Sequence, residues 1–198
     1  MNDRPRPAAE QTPAEQTPAE QAPAEATAAT PASAAVPATT VVRWPGPGLA
    51  DGQGPAGLLA AYHLQTQAEK GEAVTDVADL PERYRAEVLD PRTAFAADTV
   101  LLAVAGDAVP GCLVLTGAVG GAAEIKRLWT APEYRGRGIA AALVRAALTE
   151  AAARGVDTLR LSVWDWRTGA IALYERLGFA PVPARDDRPR LLHLARPV

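Results

Sequence analysis

The stretch that most constrains this chain is Arg135-Gly136-Arg137-Gly138-Ile139-Ala140, set between an apolar run ending at Thr130 and an alanine-rich segment that continues to Gly155. Two glycines one residue apart let the backbone turn where side chains would collide. The alanine-rich segment has helical composition, so the turn sits at a helix N-terminus, where unpaired amides and the helix dipole favour negative charge. Arg135 and Arg137 add positive charge there, and no acidic residue between Tyr134 and Thr149 neutralises it. From the residues alone this is a seat for an anion, and a diphosphate fits it best.

The pattern Gly136-x-Gly138-x-x-Ala141 also satisfies the dinucleotide-binding fingerprint. That reading requires the turn to follow directly from the first buried strand of a repeating strand-helix series. Here Pro132 and charged residues intervene, three strand-like runs come first, and one crossover follows. A glycine turn that merely joins strand to helix is the other reading, and it leaves the two arginines without a purpose.

Around the turn, hydrophobic periodicity predicts a mixed α/β sheet. Val41–Trp44 reads as a strand stopped by Pro45-Gly46-Pro47-Gly48, Gly54–Glu69 as a helix closed by Gly71, and Leu80–Val88 as a short helix stopped at Asp90-Pro91. Thr99–Ala105, Gly111–Thr116 and Ala123–Thr130 form an antiparallel meander, the first connection running through Gly106-Asp107 and Pro110. The helix from about Gly138 to Arg154 then crosses over to a half-buried strand, Asp157–Trp164, which must lie parallel to Ala123–Thr130. Thr168 caps a helix ended by Gly178, and runs at Phe179–Val182 and Arg190–Ala195 close the chain as strands.

Residues 1–40 read differently. The near-repeat Gln-Thr-Pro-Ala-Glu and the scarcity of large apolar side chains predict a disordered tail, leaving residues 41–198 as the folded domain. The five acids and two bases of that tail account for the whole net charge of −3. A neutral domain argues against a general nucleic-acid or membrane-surface binder. No apolar run is long enough to span a bilayer, and the single cysteine, Cys112, cannot form an intrachain disulfide, which points to the cytoplasm.

The segment Arg127-Leu128-Trp129-Thr130-Ala131-Pro132-Glu133-Tyr134, leading into Arg135-Gly-Arg-Gly138-Ile-Ala140, resembles the cofactor signature of the GNAT superfamily of N-acetyltransferases. Some forty residues on, Ala170-Ile-Ala-Leu-Tyr174-Glu-Arg-Leu-Gly178-Phe179 resembles that family's second signature. The resemblance implies a GNAT-like mixed sheet with helices on both faces, and acetyl-CoA as acyl donor, with no metal. It implies that the backbone at Leu128, Trp129 and Thr130 pairs with the pantetheine arm and that the amides from Arg135 through Gly136, Arg137, Gly138 and Ile139 to Ala140 hold the pyrophosphate. Tyr174 becomes the residue that assists the leaving sulfur. An asparagine common in the family is replaced by Arg167, an altered cofactor contact.

Glu124, on the strand approaching the cofactor, is the candidate base, with His63 as runner-up; either fits, as does an exposed strand carboxylate paired with Lys126 or Arg127. His193 and Cys112 read as structural. The acceptor is expected to be a primary amine of a small molecule or peptide. Between Glu69 and Asp98 eight acids face four bases, a local field suited to a cationic acceptor. The expected enzyme is a monomer or homodimer. A non-catalytic acyl-CoA-binding regulatory or scaffolding module is the alternative.

Overall fold

A computed structural model describes residues 38–47, 49 and 52–198, which lie within one unit, Val36–Val198. The segment expected to be a tail lies outside the described residues up to position 37.

Seven strands form one sheet: β1 (Thr40–Trp44), β2 (Thr99–Ala105), β3 (Ala108–Leu115), β4 (Ala122–Thr130), β5 (Thr158–Trp164), β6 (Ala180–Pro181) and β7 (Leu191–Pro197), in spatial order β1-β2-β3-β4-β5-β7-β6. The β4–β5 pair is parallel and every other pair is antiparallel. Among the described residues five α-helices accompany it: α1 (Ala56–Glu69), α2 (Glu82–Leu89), α3 (Pro91–Ala94), α4 (Ile139–Ala153) and α5 (Thr168–Arg176). The expected mixed α/β architecture is therefore the observed one.

The all-apolar run of β2 follows from burial on both faces. Leu101 and Ala103 pack with Leu113, Ile125, Leu161 and the α4 residues Leu143, Val144 and Ala147 on one side. Val100 and Leu102 pack with Val114, Trp129 and Leu59 of α1 on the other. Helices therefore cover both faces, with α1 packed over β3 and β4 and α2 against α1. Glu124, Ser162 and Trp164 border one cavity on the α1 side of the sheet. Among the described residues no helix is long and apolar enough to cross a membrane.

Three expectations need correction. Pro110 lies inside β3, where a register shift between Ala103 and Ala105 accommodates its missing N–H, so the turn is shorter than expected. Asp90-Pro91 ends α2 but also starts α3, because the Asp90 carboxylate accepts from the Thr93 amide at 3.1 Å. Thr168 is the first residue of α5; the flanking cap position is Arg167, without a side-chain cap.

Two irregularities open the sheet around β4. Opposite β3, the register jumps from Cys112↔Trp129 to Val114↔Lys126, so Arg127 and Leu128 oppose one residue, a β-bulge. Arg127 takes φ 53°, uncommon for a side chain of its size. The bulge shifts the alternation by one: Leu128 packs toward α4, Trp129 toward α1, and Arg127 turns to the α1/α2 side. The second irregularity is that β4 and β5 pair only from Ala122 to Ile125 and from Thr158 to Leu161. Past those residues each strand keeps its other neighbour, and the two part.

Candidate active site

The parting of β4 and β5 leaves the edge of β4 from Lys126 to Thr130 without a strand partner on the β5 side. An extended ligand can add to such an edge as another strand does. Unused hydrogen-bonding capacity is found in the same stretch, where Trp129 Nε1 and Thr130 Oγ1 are buried without a partner. Leu128, Trp129 and Thr130 lie on that edge, and an extended chain laid along it would meet their backbone groups.

The chain then passes through a 3₁₀ turn, Pro132–Tyr134, into the glycine turn. Gly136 and Gly138 have φ 76° and 79°, and a Cβ at either position would meet nothing within 4 Å, so backbone conformation and not crowding demands glycine. Gly138 is the N-cap of α4, with no side-chain cap and no acid in the first turn. Both arginines fold back along the turn. Arg135 donates to the Thr130 carbonyl at 3.1 Å and lies over the Trp129 ring; Arg137 donates to the Glu133 carbonyl at 3.0 Å and lies over Tyr134. The Arg135 amide is engaged by the Pro132 carbonyl, so it leaves the expected anion-binding set. Among the described residues the amides from Gly136 to Ala140 have no backbone carbonyl partner. Those five, with Ile139 and Ala140 opening α4, are the donors that fit a pyrophosphate.

Beside the gap lies a cavity of about 310 Å³ bordered by Glu124, Leu128, Ser162 and Tyr174. Tyr174 of α5 is 6% exposed. Burial, aided by Tyr62 and opposed by Arg167, pushes its phenol above the ordinary range, so it stays protonated. Its hydroxyl makes no hydrogen bond to the protein among the described residues, leaving it available to a ligand. Glu124 comes from β4 before the bulge. Its carboxylate is met by Arg185 at 3.2 Å, the Ser162 hydroxyl at 3.5 Å and Lys126 at 3.8 Å. The pairing with Lys126 matches one of the expected alternatives, yet the carboxylate also borders the cavity.

His63 fits the role of base poorly. It is 2% exposed, burial pushes its pKa below the ordinary value, and Nε2 donates to Glu87 at 2.8 Å. Arg167 borders the cavity, but its guanidinium bonds Glu69 and Thr66, both at 2.7 Å, so it ties α5 to α1. Cys112 is fully buried, and burial pushes its thiol up to about 12. His193 is buried in β7 with Nδ1 3.2 Å from the Ser162 hydroxyl.

Sequence reasoning missed the group that holds the bulge. Arg127 donates through Nε and Nη2 to the two oxygens of Glu87, both at 2.6 Å, and Tyr62 and Tyr84 present their rings to its guanidinium. Burial opposes the ionisation of Glu87, but the bonds from Arg127 and His63 outweigh it and hold its pKa at about 2. A signal was present: Lys126-Arg127, two consecutive charges inside a strand, breaks the alternation that a regular β4 would keep. The acidic stretch is used structurally. Glu69 and Glu87 bind arginines, Asp76 and Asp90 cap helices, and Asp98 accepts from the Gly117 amide. None of its eight acids borders the cavity, while Glu69 and Glu87 bind arginines that do.

A mixed sheet whose parallel pair splays beside a glycine turn is the frame of the site, and the comparisons with known proteins place that frame in a family. The profile of the Acetyltransferase (GNAT) family matches residues 60–179, more than half of the chain. The chain belongs to the GNAT acetyltransferase family. Among curated proteins it is similar to an uncharacterized N-acetyltransferase of Methanocaldococcus jannaschii, 44% identical over 57 residues, covering 29% of this chain and 25% of that protein. It is also similar to the thialysine N-epsilon-acetyltransferase of Bos taurus, 37% identical over 54 residues, covering 27% of this chain and 32% of that protein. The chain thus spans about a quarter to a third of the length of these curated relatives. Among solved structures, a GNAT-family acetyltransferase of Staphylococcus aureus Mu50 superposes with TM-score 0.61 at 13% identity, covering 81% of this chain and 99% of that one. The PaiA N-acetyltransferase of Thermoplasma acidophilum, solved in complex with coenzyme A, gives 0.57 at 21% identity, covering 72% and 91%. At such identities the solved structures show the fold alone.

Proposed function

We propose that this chain is an acetyl-CoA-dependent N-acetyltransferase that moves the acetyl group directly to a primary amine while both substrates are bound. The observation that carries the reading is the free edge of β4, Lys126 to Thr130, which runs from the cavity bordered by Tyr174 and Glu124 toward the free amides of Gly136 to Ala140. An extended thioester with a diphosphate at its far end matches that order of features.

In this reading the backbone of Leu128 to Thr130 aligns the pantetheine arm and the amides of Gly136 to Ala140 hold the pyrophosphate. Each hydrogen bond to a charged group contributes about 1.5–3 kcal/mol. The amine nitrogen attacks the thioester carbonyl, a C–N bond forms, and the C–S electron pair leaves on sulfur. Glu124 accepts the proton from nitrogen, directly or through water. Tyr174 donates a hydrogen bond to the departing sulfur; since its phenol is more basic than a thiolate, it stabilises charge more than it transfers a proton. A route through an acyl-cysteine finds no support, because Cys112 is buried and its thiol resists ionisation.

Residues 41–198 are proposed as the catalytic domain and residues 1–40 as a spacer. A chain lacking residues 1–38 is expected to fold and bind CoA as the full chain does; loss of either would refute the spacer role. Initial-velocity kinetics with acetyl-CoA and a panel of primary amines test the function. Acceptor-dependent thiol release with intersecting lines is expected. Parallel lines would contradict direct transfer, and CoA binding without acceptor-dependent thiol would identify a non-catalytic binding module.

A further inference from the structure

The charges around the cavity do not balance. Of its bordering side chains Glu124 is the one carboxylate, and it is already met by Arg185 and Lys126. The cations are more numerous, and three are paired with acids: Arg127 with Glu87, Arg167 with Glu69, and Arg188 with Asp186. Two others meet no carboxylate among the described residues. Lys70, just past the end of α1, donates to Gln67 Oε1 at 3.3 Å and lies 5.1 Å over the Trp164 ring. Arg83, in the first turn of α2, lies 4.4 Å over the Tyr84 ring and uses one N–H on the Tyr84 hydroxyl at 2.5 Å.

Arg83 thus rests against an aromatic ring on the exposed side of the opening, and one bond to the Tyr84 hydroxyl leaves most of its five N–H donors unused. A guanidinium edge presented in this way matches the two oxygens of a carboxylate. Arg188 borders the same cavity as Tyr84 of α2 and Glu124 of β4. A dication would meet repulsion at this mouth. A molecule with an anion at one end and an amine at the other would find a cation for the first and Glu124 for the second.

We propose that the acceptor is a small amine that also carries a carboxylate, of amino-acid type, and that Arg83, assisted by Lys70, binds that carboxylate. The inference rests on the amine-transfer reading and narrows its substrate class. It differs from the cationic preference suggested by the acidic composition of residues 69–98.

The test uses matched pairs that differ by the carboxylate alone and carry an amine at the far end: 4-aminobutyrate with propylamine, lysine with cadaverine, ornithine with putrescine. The full chain is assayed with acetyl-CoA, and kcat/KM is compared within each pair for wild type, Arg83→Met and Lys70→Met. Methionine keeps an apolar stem against Tyr84, and a thermal melt checks folding. The carboxylated member of its best pair is expected to lead by about tenfold or more, the effect of one charge-assisted contact. Arg83→Met is expected to bring that ratio near one through a raised KM for the carboxylated member. A decarboxylated amine that performs equally or better would overturn the proposal. So would an Arg83→Met enzyme whose KM rises for acetyl-CoA instead, since the cation would then serve the cofactor phosphates. If no amine of either kind is acetylated, the amine-transfer reading falls. Calorimetry of the same pairs with CoA present then decides the inference separately: binding of the carboxylated members alone upholds it, and equal binding or none overturns it.

Discussion

Replacing Glu87 by glutamine would test whether the bulge in β4 is held from outside the strand. The wild-type carboxylate takes two 2.6 Å bonds from Arg127 and one of 2.8 Å from His63, with side-chain exposures of 19% for Arg127 and 13% for Glu87. Glutamine offers one carbonyl oxygen and no charge, so Arg127 loses one of its two bonds and its ionic partner. Breaking a buried pair costs about 3–5 kcal/mol. Arg127 keeps the faces of Tyr62 and Tyr84 and some access to water, so a loss near the lower bound, about 3 kcal/mol, is expected. For a domain of this size that corresponds to about 6–12 °C in Tm.

A second effect separates positioning from bulk stability. Arg127 at φ 53° stores backbone strain of about 1–3 kcal/mol, which the pair with Glu87 offsets. Without it β4 relaxes toward regular alternation and the edge at Leu128 to Thr130 loses its register. The KM for acetyl-CoA should then rise about tenfold, a free-energy change of the size of that strain. Calorimetry and steady-state kinetics read the two effects, with Glu72→Gln, an exposed acid of the same stretch, as control. A Tm within ~2 °C of wild type, well short of what a broken buried pair implies, would refute the reasoning. A lowered Tm with unchanged KM would reduce the network to a structural one.

Tyr174→Phe should lower kcat about tenfold, less than full general-acid catalysis supplies. Stability should change little, because the hydroxyl has no protein partner among the described residues; full turnover would remove Tyr174 from the mechanism. Stability should also fall as pH drops below neutrality. The folded pKa of His63 lies below its ordinary 6.5, so the unfolded chain takes up a proton first and stability declines as pH falls below about 6.5. Glu87, held at about 2 against an ordinary 4.5, contributes fully above about 4.5 and loses its contribution as pH falls toward 2. Urea midpoints measured from pH 8 to 3 check this, and a flat profile between pH 7 and 5 would contradict the buried, neutral His63.

Most of the sheet was legible because its local and global signals agree. Thr99–Ala105 is continuously apolar because both faces are covered, and Gly136, Gly138 and Gly178 mark helix limits through positive φ. Where one residue serves two elements, sequence was ambiguous: Asp90-Pro91 both stops and starts a helix, and Pro110 looked like a turn because its tolerance inside β3 depends on a register shift. The site was half legible. The glycine turn and Tyr174 carry their conformation and place in local sequence. The bulge does not, because Arg127 is held by Glu87 forty residues away. Composition could not assign the acids of Glu69 to Asp98 for the same reason, since whether an acid shapes a field or pairs an arginine is decided by tertiary contacts.

The central claim is that the splayed edge of β4 and the glycine turn together seat a CoA thioester. Amide-resolved NMR titration of the protein with CoA tests it most directly, with Gly138→Val as the control that blocks the approach to the turn. The account predicts that CoA shifts the amides around Leu128 to Thr130 and from Gly136 to Ala140, leaves those of β1 and β2 in place, and fails to do so in the variant. Shifts confined to other elements, or an unchanged response in Gly138→Val, would contradict it.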